Sequence, residues 1–176
     1  MKTKLTAERL RELLRYDPET GIFTAAVARA NLNAGDIAGC PNAGGYIHIR
    51  IDYARYGAHR LAWLWMTGAW PNEKIDHING DRADNRWCNL REATQAQNCW
   101  NRQKASNNTS GFKGVHWHKG RRHWRARIMI DGKRLELGAF GTPEEAHAAY
   151  CNAARRDHGE FANLGAPAGS ITDPAS

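Results

Sequence analysis

An adjacent Asp-His pair, followed by two spaced asparagines, sets the tightest limits on how this chain folds. Asp76 and His77 come first, and Asn89 and Asn98 follow them. The stretch between His77 and Asn89 is polar and rich in turn-forming residues, so it cannot pack throughout as a strand or a helix. A short hairpin followed by a helix would bring the two ends of this segment together. We therefore expect two strands and a helix, the ββα arrangement, over about residues 73–102.

These residue types are also the ones that phosphodiester hydrolysis requires. The reaction needs an oxygen ligand for a hard cation, a neutral imidazole that takes a proton from water, and a further ligand that closes the metal site. Oxygen ligands favour Mg²⁺ or Mn²⁺ over the soft metals that thiolates select, so we expect one such divalent ion. The four cysteines are widely spaced and form no Cys-x-x-Cys pair. We therefore expect reduced thiols and no structural zinc.

A second module follows a polar linker, KASNNTSG at 104–111. The segments GVHWHK, HWRARIMID and KRLELGAF predict three strands joined by turns. In the middle strand, apolar side chains alternate with Arg125 and Arg127, which predicts one apolar face and one cationic face. The segment TPEEAHAAY begins with a capping threonine and a proline, so we expect a helix to about His158 that covers the sheet.

Positive charge is concentrated in one region of the chain. The formal net charge is +7, and residues 101–140 hold ten lysines and arginines against two acidic residues. Nucleic-acid binding needs such a localised positive field, whereas a merely solvated sheet face usually interleaves acidic residues. No apolar run is long enough to span a bilayer, and the N-terminus lacks the apolar core of a signal peptide. We therefore expect a cytoplasmic protein without a membrane partner.

The first module resembles the HNH nuclease family, in the branch whose last motif residue is Asn rather than His. This branch is common among phage-encoded and homing endonucleases, so a bacterial host cell is the expected setting. The resemblance implies that Asp76 is the first metal ligand and His77 the general base. It implies that Asn89 ties the loop and helps to orient the histidine, and that Asn98 is the second metal ligand, on the helix. The matching segments are YDPETGIF at 16–23, GYIHIRI at 45–51, AHRLAW at 58–63, IDHINGDRADNRWCNL at 75–90 and QNCWN at 97–101.

Other polar residues of this module are expected in supporting roles. His59 and Arg60 lie in AHRLAW, where the family usually keeps His-Arg. We expect His59 to be structural or to position a DNA phosphate, and Arg60 to contact the DNA backbone. Asp84 and Asn85 are predicted turn residues, one of which fastens the loop.

The second module resembles the ethylene-response-factor (apetala-type) DNA-binding domain, on SGFKGVHWHK, the Trp-Arg-Ala-Arg strand, LGAF, TPEEAHAAY and FANL. That family lays its three-stranded sheet in the DNA major groove. Plant members present a Trp on the third strand where this chain has Glu136, so their base preference does not transfer. The resemblance implies DNA contacts by Lys113, His116, His118, Arg121, Arg125, Arg127 and Arg134.

The predicted fold class is α+β: a ββα-metal HNH nuclease module followed by a three-stranded antiparallel sheet packed on one helix. The predicted domain boundaries are 1–103 for the nuclease domain, 104–111 for the linker, 112–164 for the DNA-binding domain and 165–176 for a disordered tail.

The predicted function is a site-directed, metal-dependent DNA endonuclease that acts on double-stranded DNA and leaves 5′-phosphate and 3′-hydroxyl ends. One alternative is a sequence-specific DNA-binding regulator with a catalytically degenerate HNH unit. Another is an RNA-binding or structure-selective nuclease, because cationic sheets also hold RNA. The sequence shows no obligate protein partner. It leaves open the recognition site, nicking against double-strand cutting, and monomer against dimer.

Overall fold

The computed structural model describes residues 5–29, 31–104 and 108–165. The chain is of mixed α and β structure, and every strand pair among the described residues is antiparallel. It divides into two compact units, with residues 1–94 in unit 1 and 95–176 in unit 2. The predicted boundary at 103/104 stays a prediction. Residues 105–107 of the predicted linker, and the predicted disordered tail from 166 onward, lie outside the described residues.

Unit 1 begins with a short helix that ends at Leu13. The elements in chain order are α1 (Ala7–Leu13), β1 (Leu14–Tyr16), β2 (Phe23–Ala25), β3 (Cys40–Pro41), β4 (Ile47–Ile51), β5 (Ala54–Gly57), α2 (Ala58–Thr67), β6 (Lys74–His77) and β7 (Leu90–Ala93). Thr6 caps α1, because its hydroxyl accepts a hydrogen bond from the Arg9 amide at 3.2 Å. Leu14 is extended, so the helix stops there and β1 begins. Helix α2 ends at Gly68, whose φ of +76° is favourable for glycine.

The sheets of unit 1 are small and rest on one apolar core. β1 pairs with β2, β3 and β5 flank β4, and β6 pairs with β7. Alternation along β4 places Ile49 and Ile51 in the core, where they join the buried leucines of α1 and α2. The β6–β7 hairpin reaches the same core through Ile75 and Leu90. This core fixes the strand on which Asp76 and His77 lie.

Within its described residues, unit 2 contains a three-stranded sheet and two α-helices. Its elements are α3 (Gln95–Trp100), β8 (Val115–His118), β9 (His123–Ile130), β10 (Lys133–Phe140) and α4 (Pro143–His158), and β9 is the central strand. Ala126 and Ile128 of β9 are buried together with Ala146 and Tyr150 of α4. Thr142 begins α4 with a capping box, in which its hydroxyl accepts from the Glu145 amide.

All four cysteines are free thiols, as the sequence predicted. Among the helices that the structure describes, none is long and apolar enough to cross a membrane.

Candidate active site

The β6–β7 hairpin places two predicted site residues side by side in the interior of unit 1. Asp76 and His77 are the last two residues of β6, and they stand opposite Arg91 and Leu90 of β7. Asp76 is only 4% exposed, and His77 is 5% exposed. Burying an ionisable group is costly unless it has a charged or hydrogen-bonded partner, so the chemistry of Asp76 and His77 depends on the side chains around them.

Asp76 forms a nearly buried ion pair with the arginine across the hairpin. Arg91 Nη2 lies 3.0 Å from Asp76 Oδ2, and Arg91 Nε donates to the same oxygen at 3.1 Å. The two side chains are 5% and 14% exposed. A carboxylate has about four lone-pair positions on its two oxygens, so contact with arginine is compatible with a further ligand.

His77 is held by a buried asparagine that the sequence had assigned only to the loop. Its Nε2 atom lies 3.3 Å from Asn85 Oδ1, and Asn85 is 2% exposed. The Asn85 amide nitrogen donates to the Ala83 carbonyl at 2.9 Å, which fixes Oδ1 toward the ring. Because that oxygen can only accept, Nε2 carries the proton and Nδ1 of the neutral ring carries the lone pair.

The charge state of His77 follows from its burial. Burial lowers the pKa of His77, although the hydrogen bond to Asn85 and the charge of Asp76 act in the opposite direction. Burial is the largest of these effects. The ring is therefore neutral at neutral pH and able to accept a proton.

Asn89 holds the polar loop together through hydrogen bonds to Asn79 and Asp84. Its Oδ1 accepts from the Asn79 amide at 3.0 Å, and its Nδ2 donates to Asn79 Oδ1 at 3.0 Å and to the Asp84 carbonyl at 2.8 Å. The Asp84 carboxylate accepts from Asn79 and from Arg86, and the Arg86 guanidinium lowers the pKa of Asp84 to about 2. The loop thus has a polar network that holds its two ends together.

A segment far away in sequence supports the same loop. The Tyr16 hydroxyl donates to the Asn85 carbonyl at 2.6 Å, and the Trp87 amide donates to the Pro18 carbonyl at 2.9 Å. Gly21, at a φ of +73°, lies so close that a Cβ there would be 2.4 Å from the Arg86 nitrogen and from the Asn85 carbonyl carbon. The YDPETG turn is therefore the surface on which the loop rests. The sequence predicts a turn here, but it does not predict that the turn contacts the loop through its backbone.

Two further rings surround His77. The centroids of His59 and His77 are 5.3 Å apart with the rings edge to face, and Tyr46 lies 5.4 Å from His59 and 5.9 Å from His77. Arg82 stands over the Tyr46 ring at 5.1 Å. Burial, together with the nearby His77, lowers the pKa of His59 to about 3. His59 is therefore neutral, which favours a structural role over attraction of a phosphate by charge. The guanidinium of the next residue, Arg60, lies 5.7 Å from the centre of the Trp70 ring.

Asn98 lies on α3, which belongs to unit 2, and it is half-buried. Its predicted part in metal binding stays a prediction. No cluster of three or more His, Cys, Asp or Glu side chains suited to a metal occurs within residues 5–29, 31–104 and 108–165. An amide ligand such as Asn98 is not one of those four residue types.

The basic residues of unit 2 have mixed surroundings. Arg125 and Arg127 alternate with the buried residues of β9, as predicted, and Arg125 Nε donates to His123 Nε2 at 3.2 Å. Burial lowers the pKa of His116. The ammonium of Lys113 donates to the Trp100 carbonyl at 2.8 Å, and the predicted DNA contact of Lys113 stays a prediction. His118 accepts from the Arg121 amide through Nδ1, and Arg134 of β10 stands opposite Met129 of β9.

Known proteins match both units of the chain. The family model for HNH endonucleases matches residues 56–99, which include all four predicted motif residues. The AP2 domain model matches residues 110–159. Protein 3.8 of Escherichia phage T7 is 37% identical over 108 residues, which cover 60% of this chain and 88% of that protein. The chain belongs to the HNH endonuclease family and carries an AP2 domain. Both predicted resemblances are thereby confirmed.

Two more matches concern HNH proteins. The uncharacterized HNH endonuclease L560 of Acanthamoeba polyphaga mimivirus is 30% identical over 116 residues, 65% of this chain and 59% of that protein's length. A solved structure of DNA binding and cleavage by the HNH homing endonuclease I-HmuI shares 18% identity, with coverage of 83% of this chain and 85% of that chain and a TM-score of 0.40. At that score the structural likeness decides nothing about the fold of this HNH protein.

Proposed function

We propose that this HNH protein is a metal-dependent endonuclease that cuts double-stranded DNA and leaves 5′-phosphate and 3′-hydroxyl ends. The observation that carries the proposal is the buried pair of Asp76 and His77, with the tautomer of His77 set by Asn85. A neutral imidazole with a fixed lone pair is what water activation requires, and the carboxylate next to it in the chain is a candidate metal ligand. Membership of the HNH endonuclease family points to the same chemistry.

His77 is the proposed general base. Its Nδ1 takes a proton from a water molecule, which then attacks phosphorus in line with the leaving 3′ oxygen. Asn85 keeps the Nε2 proton directed at its own Oδ1, so the base cannot rotate or change tautomer without breaking that bond. Asn89 acts one step away, because it ties together the loop from which Asn85 projects. In this proposal, Asn89 ties the loop and Asn85 orients His77, two tasks that the resemblance had assigned to Asn89 alone.

Asp76 and Asn98 are the proposed ligands of one divalent ion, as in the ββα arrangement that the sequence predicts. A carboxylate and a side-chain amide are both oxygen donors, which fits Mg²⁺ or Mn²⁺. When bound, such an ion stabilises negative charge on the leaving oxygen. Arg91 orients the Asp76 carboxylate through Oδ2, so the pair is compatible with this use of the side chain.

The AP2 domain is the proposed DNA-docking module. Arg125 and Arg127 lie on the face of β9 away from the buried cluster, where phosphate neutralisation would contribute most of the affinity and base contacts some of the specificity. The other proposed DNA contacts are Arg60, Lys113, His116, His118, Arg121 and Arg134. His59 would contact a phosphate only as a neutral hydrogen-bond donor. A single site of this kind cuts one strand at a time, so a monomer would nick the duplex.

The test is plasmid relaxation followed by resealing. Supercoiled plasmid is incubated with the protein and Mg²⁺ or Mn²⁺, and a parallel sample contains EDTA. We expect nicked circles only with metal, and we expect DNA ligase to reseal them without prior kinase treatment. Circles that ligase cannot seal until their ends are repaired would contradict the proposed products. Cleavage in EDTA would contradict the metal requirement.

One observation favours the alternative of a DNA-binding regulator with a degenerate HNH unit. The Asp76–Arg91 ion pair already neutralises the buried carboxylate, as it would in a purely structural role. A calorimetric titration with Mn²⁺ separates the two functions. Heat of binding that is lost in Asp76→Asn supports the nuclease, and absence of Mn²⁺ binding in both proteins, with DNA binding retained, supports the regulator.

A further inference from the structure

Helix α3, which carries Asn98, is too short to hold its own position. It has six residues, none of them fully buried, and no charged residue that would favour either end of its dipole. Isolated helices of fewer than about a dozen residues are unstable in water. Tertiary contacts must therefore decide where Asn98 stands.

The first such contact is an aromatic stack at the end of the helix. The Trp100 ring lies on the His158 ring with centroids 4.4 Å apart and planes 6° from parallel. His158 is the last residue of α4 and is 5% exposed, and its Nε2 lies 2.8 Å from the Met129 carbonyl. Met129 lies on β9 beyond the last residue that β8 pairs with, so His158 occupies the part of the β9 edge that β8 does not cover. Trp100 thus packs on an anchored ring of the AP2 domain.

The second and third contacts reach the backbone at the same helix end. Lys113 donates to the Trp100 carbonyl at 2.8 Å, and Asn163 Nδ2 donates to the Asn101 carbonyl at 2.8 Å. The last carbonyls of a helix have no partner within it, and a cation is favourable there. Burial lowers the pKa of Lys113 to about 8, in keeping with a lysine directed inward rather than at solvent.

We propose that Trp100, Lys113, His158 and Asn163 are positioning residues that set the place of Asn98 in the metal site. The AP2 domain would then have two tasks: it docks on DNA, and it holds the helix that supplies a ligand to the nuclease site. This inference rests on the proposed function, because it requires Asn98 to bind the ion. The part of Lys113 in this inference is its hydrogen bond to the Trp100 carbonyl at the end of α3.

The test compares Trp100→Leu and Asn163→Ala with a matched control, Trp117→Leu. Trp117 is in the same domain and is 42% exposed. Each variant of the full chain is titrated with Mn²⁺ by calorimetry in the absence of DNA, and DNA binding is measured by gel shift in EDTA. Loss of residues that support metal ligands lowers metal affinity by about tenfold. We expect that loss in Trp100→Leu and a smaller one in Asn163→Ala, with Mn²⁺ affinity unchanged in Trp117→Leu and DNA affinity unchanged in all three.

The variant Asn98→Ala distinguishes failure of this inference from failure of the proposed function. If Asn98→Ala weakens Mn²⁺ binding and both positioning variants leave it intact, the inference is overturned and the proposed function stands. If Asn98→Ala binds Mn²⁺ like the wild type, the ligand assignment itself is wrong. Loss of DNA binding in Trp100→Leu, with Mn²⁺ affinity retained, would also overturn the inference, because it would show that the stack serves the fold of the AP2 domain alone.

Discussion

Replacement of Gly21 by alanine tests whether the distant turn holds the catalytic loop in place. A Cβ at this position would stand 2.4 Å from backbone atoms of Asn85 and Arg86, at a φ of +73°. Ordinary contact requires about 3.4 Å, so the loop must move by roughly 1 Å, and backbone atoms cannot rotate away as a side chain can. Asn85 would then lose its contact with His77. A displacement of about 1 Å at a catalytic group costs roughly a hundredfold in rate.

Gly68 is the matched control for this substitution. Its φ of +76° imposes the same backbone strain, yet nothing lies within 4 Å of a Cβ placed there. Left-handed backbone costs an alanine about 1–2 kcal/mol, so both variants lose stability by that amount. We expect Gly68→Ala to cleave like the wild type under single-turnover conditions at a temperature where it stays folded, and Gly21→Ala to be about a hundredfold slower with DNA affinity unchanged. Equal rates for the two folded variants would refute the link between the turn, Asn85 and His77.

Further predictions concern the ring, the loop and the AP2 helix. Asn85→Ala frees the tautomer of His77, and we expect at least about a hundredfold slower single-turnover cleavage with DNA binding retained; a rate close to the wild type would contradict this. His59 has a pKa of about 3 in the folded chain, against 6.5 in the unfolded chain. Between these two pH values only the unfolded chain binds the proton, so the stability of the folded chain falls as the pH drops from 6.5 towards 3. Hydrogen exchange in helix α2 should show this loss, on the order of 5 kcal/mol in full, and His59→Gln should remove it; a pH dependence unaffected by the substitution would contradict the cause. Thr142→Ala removes the cap of α4 and should lower the thermal stability of the AP2 domain by about 1 kcal/mol without changing Mn²⁺ affinity.

Local signals were enough to predict where the first two motif residues stand. Strong turn residues follow His77, so β6 had to end there, and the apolar alternation in HWRARIMID fixed which face of β9 is buried. Thr142 and Pro143 likewise marked the start of α4, because a hydroxyl cap and a proline are favourable only at a helix N-terminus.

Contacts between residues distant in sequence could not be predicted in the same way. An asparagine in a polar loop usually bonds to its own backbone, and Asn85 does so through Nδ2, but the other half of its amide faces His77. The hydrogen bond from Lys113 to the Trp100 carbonyl could not be predicted either, because a lysine in a basic segment carries no mark that its ammonium caps a helix. The rings of Tyr46 and His59 meet His77 only through the packing of β4 and α2 in unit 1.

The role of His77 as general base is tested by the rate at which His77→Ala nicks supercoiled plasmid with Mn²⁺, compared with the wild type and with His48→Ala. His48 is a half-buried histidine on β4 with no proposed part in the chemistry. We expect nicked circles from the wild type and from His48→Ala, and no product from His77→Ala, with all three proteins shifting DNA equally in EDTA. Turnover by His77→Ala at the wild-type rate would contradict the assignment of His77 as the general base.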